Sequence, residues 1–171
     1  MHIAAEISPL RKESPVRDVL IDPIVVGTVQ PERTVLIERG RLQMFALAIG
    51  EDDPVYVDVD AARAAGHPDL PVPPTFFFGM NMGRGPEQDM QWMRELGIDM
   101  RRILHGEEAF VYHSVAHAGD TVILAPRITD VYSKRNDEMQ FIERTTTVST
   151  TEGVPVVEMR ELIVYRPQEA S

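Results

Sequence analysis

The sequence predicts an α+β domain, a buried helix followed by a curved antiparallel sheet of about five strands, with extra short helices before and after the central one. Three observations carry this. Thr75-Phe76-Phe77-Phe78-Gly79-Met80-Asn81-Met82 has almost no polar surface, which suits a helix buried all round. From Ile103 onward, four segments rich in β-branched residues are separated by turn-forming residues. Helices precede these strands instead of alternating with them, which argues against a parallel α/β sheet.

Residues 1–24 mix charge, proline and short apolar pieces and read as an N-terminal arm packed on the outside. Residues 25–171 read as a single domain. Val25–Ile37 has the valine, threonine and isoleucine of a first strand. From Glu38, apolar residues fall at Leu42, Phe45, Ala46 and Ile49, the spacing of a helix with one buried face. Gly50 stops it. A short helix is expected at Val59–Ala65, closed by Gly66. The prolines between Pro68 and Pro74 force a stiff, irregular loop. Thr75 is a plausible N-cap of the apolar helix, and Pro86–Leu96 reads as a separate short helix near the surface. The strand candidates are Ile103–Val115, Thr121–Tyr132, Glu138–Thr150 and Val154–Arg166. The last three should form an antiparallel meander.

The chain has 171 residues with 43% hydrophobic and 26% charged, a normal soluble balance and enough for one core. Its net charge of −10 repels nucleic-acid phosphates and anionic lipid, so neither is expected as a partner. Cysteine is absent, which removes disulfides, thiol nucleophiles and thiolate metal sites. No stretch has the length of a membrane span, and the N-terminus lacks the basic and apolar regions of a signal peptide. The expected location is the cytoplasm.

Leu47-Ala48-Ile49-Gly50-Glu51-Asp52-Asp53-Pro54-Val55-Tyr56-Val57-Asp58 resembles the hydratase motif S-G-D-x-N-P-x-H-x-D of MaoC-like dehydratases and (R)-specific enoyl-CoA hydratases. Gly119-Asp120-Thr121-Val122 resembles that family's G-D-T strand start. Val72-Pro73-Pro74-Thr75-Phe76 resembles the A-P-x-T-F entrance to its central helix. The resemblance covers roughly Val25 to Arg166 and implies a hot-dog fold, a sheet wrapped around a helix. It implies a hydro-lyase acting on 3-hydroxyacyl or 2-enoyl thioesters of CoA or acyl carrier protein, with no cofactor and no metal.

The departures matter as much. The catalytic aspartate of the motif falls on Glu51, its asparagine on Asp53 and its catalytic histidine on Tyr56. Phe78 stands where the helix start usually has a histidine, while Gly79 and Met80 match. The pattern is similar to the catalytically degenerate half of two-part MaoC-like dehydratases, which shapes the acyl site. The partner implied is either a second copy or a hot-dog chain carrying the intact Asp/His pair. A self-sufficient hydratase with a remodelled Glu/Tyr site, a hot-dog thioesterase and a non-catalytic acyl-thioester-binding protein are the alternatives.

The candidate catalytic residues are therefore Glu51, Asp53 and Tyr56. Glu51 keeps a carboxylate but reaches about one methylene further than aspartate, and a misplacement of about 1 Å can cost roughly 10²-fold. The bland reading is a solvated loop acid. Tyr56, with an ordinary pKa near 10, is a poor base and a better hydrogen-bond donor; its bland reading is a core or interface tyrosine. The candidate substrate-binding residues are Pro74, Thr75, Phe76, Phe78 and Gly79, where the resemblance places the thioester carbonyl against the helix start. Core packing competes for the phenylalanines. His67 lies near this entrance and can stand in for the motif histidine, although a surface loop residue is the plainer reading. His113 and His117 sit at a strand end and turn and are weak metal candidates.

Overall fold

A computed structural model describes residues 20–81, 86–135 and 137–167. Its strands are β1 (Arg33–Leu36), β2 (Ile103–Tyr112), β3 (Thr121–Lys134), β4 (Met139–Thr150) and β5 (Pro155–Tyr165). They form one antiparallel sheet in the order β1-β3-β4-β5-β2. The expected meander is β3-β4-β5. Along β3 and β4, buried residues alternate with more exposed ones, as at Val122, Leu124, Pro126 and Ile128 and again at Ile142, Arg144, Thr146 and Val148. That period of two presents one face to the core. Register shifts at Ile128/Asp130, His105/Glu107 and Val148/Ser149 bend the strands and add twist.

The first strand is shorter than the composition of 25–37 suggests. Asp22 caps a single 3-10 turn at Pro23–Val25. Gly27 then takes a φ of +91°, Val29 makes only an isolated bridge to Arg127, and Pro31 lacks a ladder donor. Only Arg33–Leu36 pairs with β3. Of the arm, residues 1–19 lie outside the described residues. Ile21 is buried, its amide donating to Gln140 Oε1 at 2.7 Å and its carbonyl accepting from Gln140 Nε2 at 3.1 Å.

Helix α1 (Arg39–Ile49) buries Leu42 and Ala46 and ends at Gly50, whose φ of +73° favours a residue without a Cβ. Helix α2 spans Val59–Ala64, with the Asp58 carboxylate accepting from the amides of Asp60 and Ala61. Helix α3 (Phe76–Asn81) is the central one. Its Phe76, Phe77 and Met80 pack into a cluster with Val122, Leu124, Val148, Val156, Val157 and Met159 of β3, β4 and β5. Each such side chain contributes about 1.5–3 kcal/mol by burial.

Helix α3 is not buried all round. Gly79 is exposed and Phe78 is half-buried, with its ring centroid 5.3 Å from that of His105. A helix this short lies against the sheet by one side only. Nor does Thr75 have the extended backbone of a side-chain cap, because its φ is +67°.

The expected helix at 86–96 is two short ones, α4 (Pro86–Asp89) and α5 (Gln91–Glu95), broken at Met90. It is also less superficial than expected. Met93 and, beyond it, Ile98 enter a second cluster with Ile21, Ile128, Val131, Ile142, Ile163 and Tyr165.

Candidate functional site

The bend after α1 is built by its own acids. The amide of Glu51 donates to the Ala46 carbonyl at 2.9 Å. Glu51 Oε1 accepts from the Asp53 amide at 3.0 Å, and Asp53 Oδ1 accepts from the Val55 amide at 3.0 Å. Asp53 thereby caps the single 3-10 turn Pro54–Tyr56, which carries Tyr56 inward.

The proline-rich loop is tied to the turn before β3. The Val72 amide donates to the Ala116 carbonyl and the Ala118 amide to the Leu70 carbonyl, both at 2.9 Å, and Pro71 bridges His117. This pairing brings together residues about fifty positions apart. His67 Nδ1 lies 3.1 Å from His117 Nε2, with the rings tilted by 50°. The His117 backbone is held by its amide donating to Asp120 Oδ2 at 2.8 Å.

The 54–56 turn, the proline loop, the start of α3 and the end of β2 enclose a cleft of about 380 Å³. Its apolar walls include Val55, Val72, Phe77 and Val115, and its polar groups are Tyr56, His67, Tyr112, His113 and Ser114. Among the described residues no carboxylate lines it, although the chain as a whole is strongly acidic. Burial pushes the Tyr56 phenol above 10, and the charges of Glu51 and Asp53 add to that. Tyr56 is therefore a donor at neutral pH. Burial pushes His117 below its ordinary 6.5 and His67 adds to this, against the opposite pull of Asp120 and Asp69. His117 is accordingly a neutral imidazole at pH 7.

The residues singled out in the sequence divide between places. Tyr56 and Pro74 line the cleft, while Glu51 and Asp53 stand beside it with their oxygens turned to backbone amides. Thr75 holds the cleft rim, its amide donating to the Tyr112 hydroxyl at 3.0 Å. Phe76 and Gly79 face a separate groove of about 280 Å³ shared with Arg41, Met44, Phe45 and Ala48 of α1. Phe78 turns to His105 instead.

Residues 24–159 match the family described as FAS1-like, dehydratase domain region. The chain belongs to that family. This dehydratase-region chain is 33% identical over 153 residues to a UPF0336 protein of Streptomyces griseus, covering 88% of the chain and 99% of the relative. It is 35% identical over 130 residues to one of Thermobifida fusca, covering 76% and 83%.

Among solved structures, it resembles a C-terminally truncated HadBC (3R-hydroxyacyl-ACP dehydratase) complex of Mycobacterium tuberculosis, with a TM-score of 0.67, 20% identity and coverage of 82% and 96%. It also resembles the ChsH1-ChsH2 complex of Mycobacterium tuberculosis, at 0.65, 23%, and coverage of 83% and 86%. A MaoC-like dehydratase gives 0.72 at 21%, covering 85% of this chain and 43% of that one. The fold is the hot-dog fold of MaoC-like dehydratases.

Elsewhere in this dehydratase-region chain, His105, Glu108 and Glu161 bring ligand-type atoms within 4.8 Å of one another, the one such group among the described residues. Arg144 already reaches Glu161 at 3.4 Å, and His105 reaches Glu108 at 3.3 Å. Burial raises the Glu108 carboxyl above its usual range, with Glu161 contributing. The cluster has the makings of an internal charge network. Among the described residues, no helix is long and apolar enough to cross a membrane.

Taken one by one, the sequence offers His67 as a stand-in for the motif histidine and His113 and His117 as weak metal candidates, without joining them. The residues that sequence reasoning missed as a group are these three with Tyr112. Only the pairing of the proline loop with 116–118 brings His67 to the cleft of Tyr112 and His113, with His117 behind it, and no short-range pattern encodes it.

Proposed function

We propose that this protein is a hydro-lyase subunit that adds water to 2-enoyl thioesters, or removes it from 3-hydroxyacyl thioesters, of CoA or acyl carrier protein. One observation carries the reading. Tyr56, at the position of the motif's catalytic histidine, and Pro74, at the helix entrance, line one apolar cleft floored by Phe77. A cleft of this size with a few convergent polar groups suits a small acyl group. The protein works in the cytoplasm in this reading.

It works as a pair of hot-dog chains. Strand β2 is an edge strand that exposes Leu104 and Val111, and an open edge of this kind calls for a partner. Two of the similar structures, HadBC and ChsH1-ChsH2, are described as complexes. In the first division of labour, this chain shapes the acyl site and a second hot-dog chain supplies the Asp/His pair. A specific observation favours a second division, in which the chain moves protons itself: His67 lines the same cleft as Tyr56 and has His117 behind it at 3.1 Å.

The test is hydration of crotonyl-CoA by the full chain, alone and with a candidate second hot-dog chain. Formation of 3-hydroxybutyryl-CoA supports the reading. Release of free CoA in its place points to a thioesterase and overturns it.

A further inference from the structure

We propose that His67, oriented by His117, is the proton-transfer group of the cleft, doing the work that the motif histidine cannot do once it has become Tyr56. The inference rests on the thioester reading above and assigns its chemistry to residues outside the recognised motif.

Glu51 and Asp53 spend carboxylate oxygens on the amides of Asp53 and Val55, and neither lines the cleft. Tyr56 does line it, but holds its proton at neutral pH. A histidine is the side chain whose ordinary titration range suits proton transfer near pH 7.

His67 and His113 both line the cleft, and His67 is the one with a second group behind it. His117 is absent from the cleft wall and reaches His67 from the rear at 3.1 Å. A base held by a third group is the general pattern of activated proton transfer. In the tautomer proposed, His117 accepts through its Nε2 from His67 Nδ1–H, the two nitrogens being 3.1 Å apart. This fixes the tautomer of His67 and leaves His67 Nε2 with a lone pair. His117 is thus a positioning residue. It is itself anchored by the Asp120 contact to its amide and by the bridge to Pro71.

The step balances within the cleft. His67 Nε2 takes a proton from water as the water oxygen bonds to C3 of the enoyl thioester. The C2=C3 π pair moves toward C1, and charge develops on the thioester oxygen, where the Tyr56 phenol is a suitable donor. Protonated His67 then returns the proton to C2. One water is added, and nothing is oxidised or reduced. Dehydration is the reverse.

The experiment uses the full chain with His67→Gln, which keeps a polar side chain that cannot carry a proton, and with His117→Asn and His117→Phe. Binding of butyryl-CoA, which has no double bond to hydrate, is measured alongside crotonyl-CoA hydration. The expected result for His67→Gln is a loss of about 10²–10⁴-fold in kcat with butyryl-CoA affinity within threefold of wild type. His117→Phe should lower kcat with little change in KM, and His117→Asn, which keeps a polar partner, should recover part of the loss.

Retention of kcat within threefold in His67→Gln would falsify the proposal. So would a wild-type chain that binds butyryl-CoA but hydrates crotonyl-CoA only when a second chain is added and then indifferently to His67→Gln; the thioester reading would survive that outcome. Failure of wild type to bind butyryl-CoA at all would sink the thioester reading itself.

Discussion

The amide of Thr75 donates a 3.0 Å hydrogen bond to the hydroxyl of Tyr112, which ties the entrance of the central helix to the end of the edge strand β2. The two residues are 37 positions apart, and both stand at the cleft that holds Tyr56 and His67. The bond occupies an amide that the resemblance to MaoC-like enzymes offers to the thioester oxygen. It also holds a β-branched residue at a φ of +67°, a conformation such residues rarely adopt.

Removing the acceptor should loosen that corner without unfolding the domain. Tyr112→Phe is expected to cost about 0.5–1.5 kcal/mol, read from urea unfolding. Faster hydrogen exchange at the Thr75 amide should accompany it. Unchanged protection of that amide would show that the latch does not hold in solution.

The half-buried histidine His117 makes a pH prediction. The folded-state pKa of His117 lies below the ordinary 6.5, chiefly because its partial burial disfavours the charged ring and outweighs the pull of Asp120. Between that lowered value and 6.5 the unfolded chain binds more protons than the native one, so stability rises with pH there and is lost on acidification. NMR titration of the His117 ring should give a midpoint below 6.5. His117→Asn should flatten the stability profile in the same window.

A second pH effect has a carboxylate origin. The Arg39 guanidinium and the Leu70 amide hold the Asp69 carboxyl at about 2, down from 3.8. A depressed carboxyl stabilises the native state above its unfolded pKa, and the contribution disappears as pH falls from about 3.8 toward 2. Both partners have solvent access, so the effect is modest and weakened by salt. Thermal melts of Asp69→Asn should show a smaller drop than wild type across that interval.

Close approach within the sheet gives a test of packing. At the bulge between His105 and Glu107, a Cβ on Gly106 would sit 3.1 Å from the Leu162 carbonyl oxygen and 3.1 Å from Val164 Cγ2. The carbonyl belongs to the paired strand and has little room to yield. Gly106→Ala should therefore destabilise by about 1–3 kcal/mol, outweighing the usual gain from replacing glycine. A denaturant midpoint at or above wild type would show that the bulge relaxes.

Much of the architecture was legible in local pattern. The β-branched segments Thr121–Tyr132 and Glu138–Thr150, bounded by Gly119-Asp120 and Thr151-Glu152-Gly153, identify β3 and β4 because such side chains suit a pleated strand and such separators suit turns. The spacing of Leu42, Phe45, Ala46 and Ile49 likewise identifies α1. The motif-like bend at 51–56 pointed to Tyr56, and Tyr56 does line a cleft. Tertiary structure decided the rest. Whether Phe76, Phe77 and Phe78 meet the core, a groove or His105 depends on which side of a short helix lies on the sheet, and their identical chemistry carries no trace of that. The His67–His117 contact spans 50 positions and exists because backbone bonds between the proline loop and residues 116–118 close a long loop. Periodicity records the neighbours of a residue along its own element, whereas a cleft is made by contacts between elements, which no short window of sequence contains.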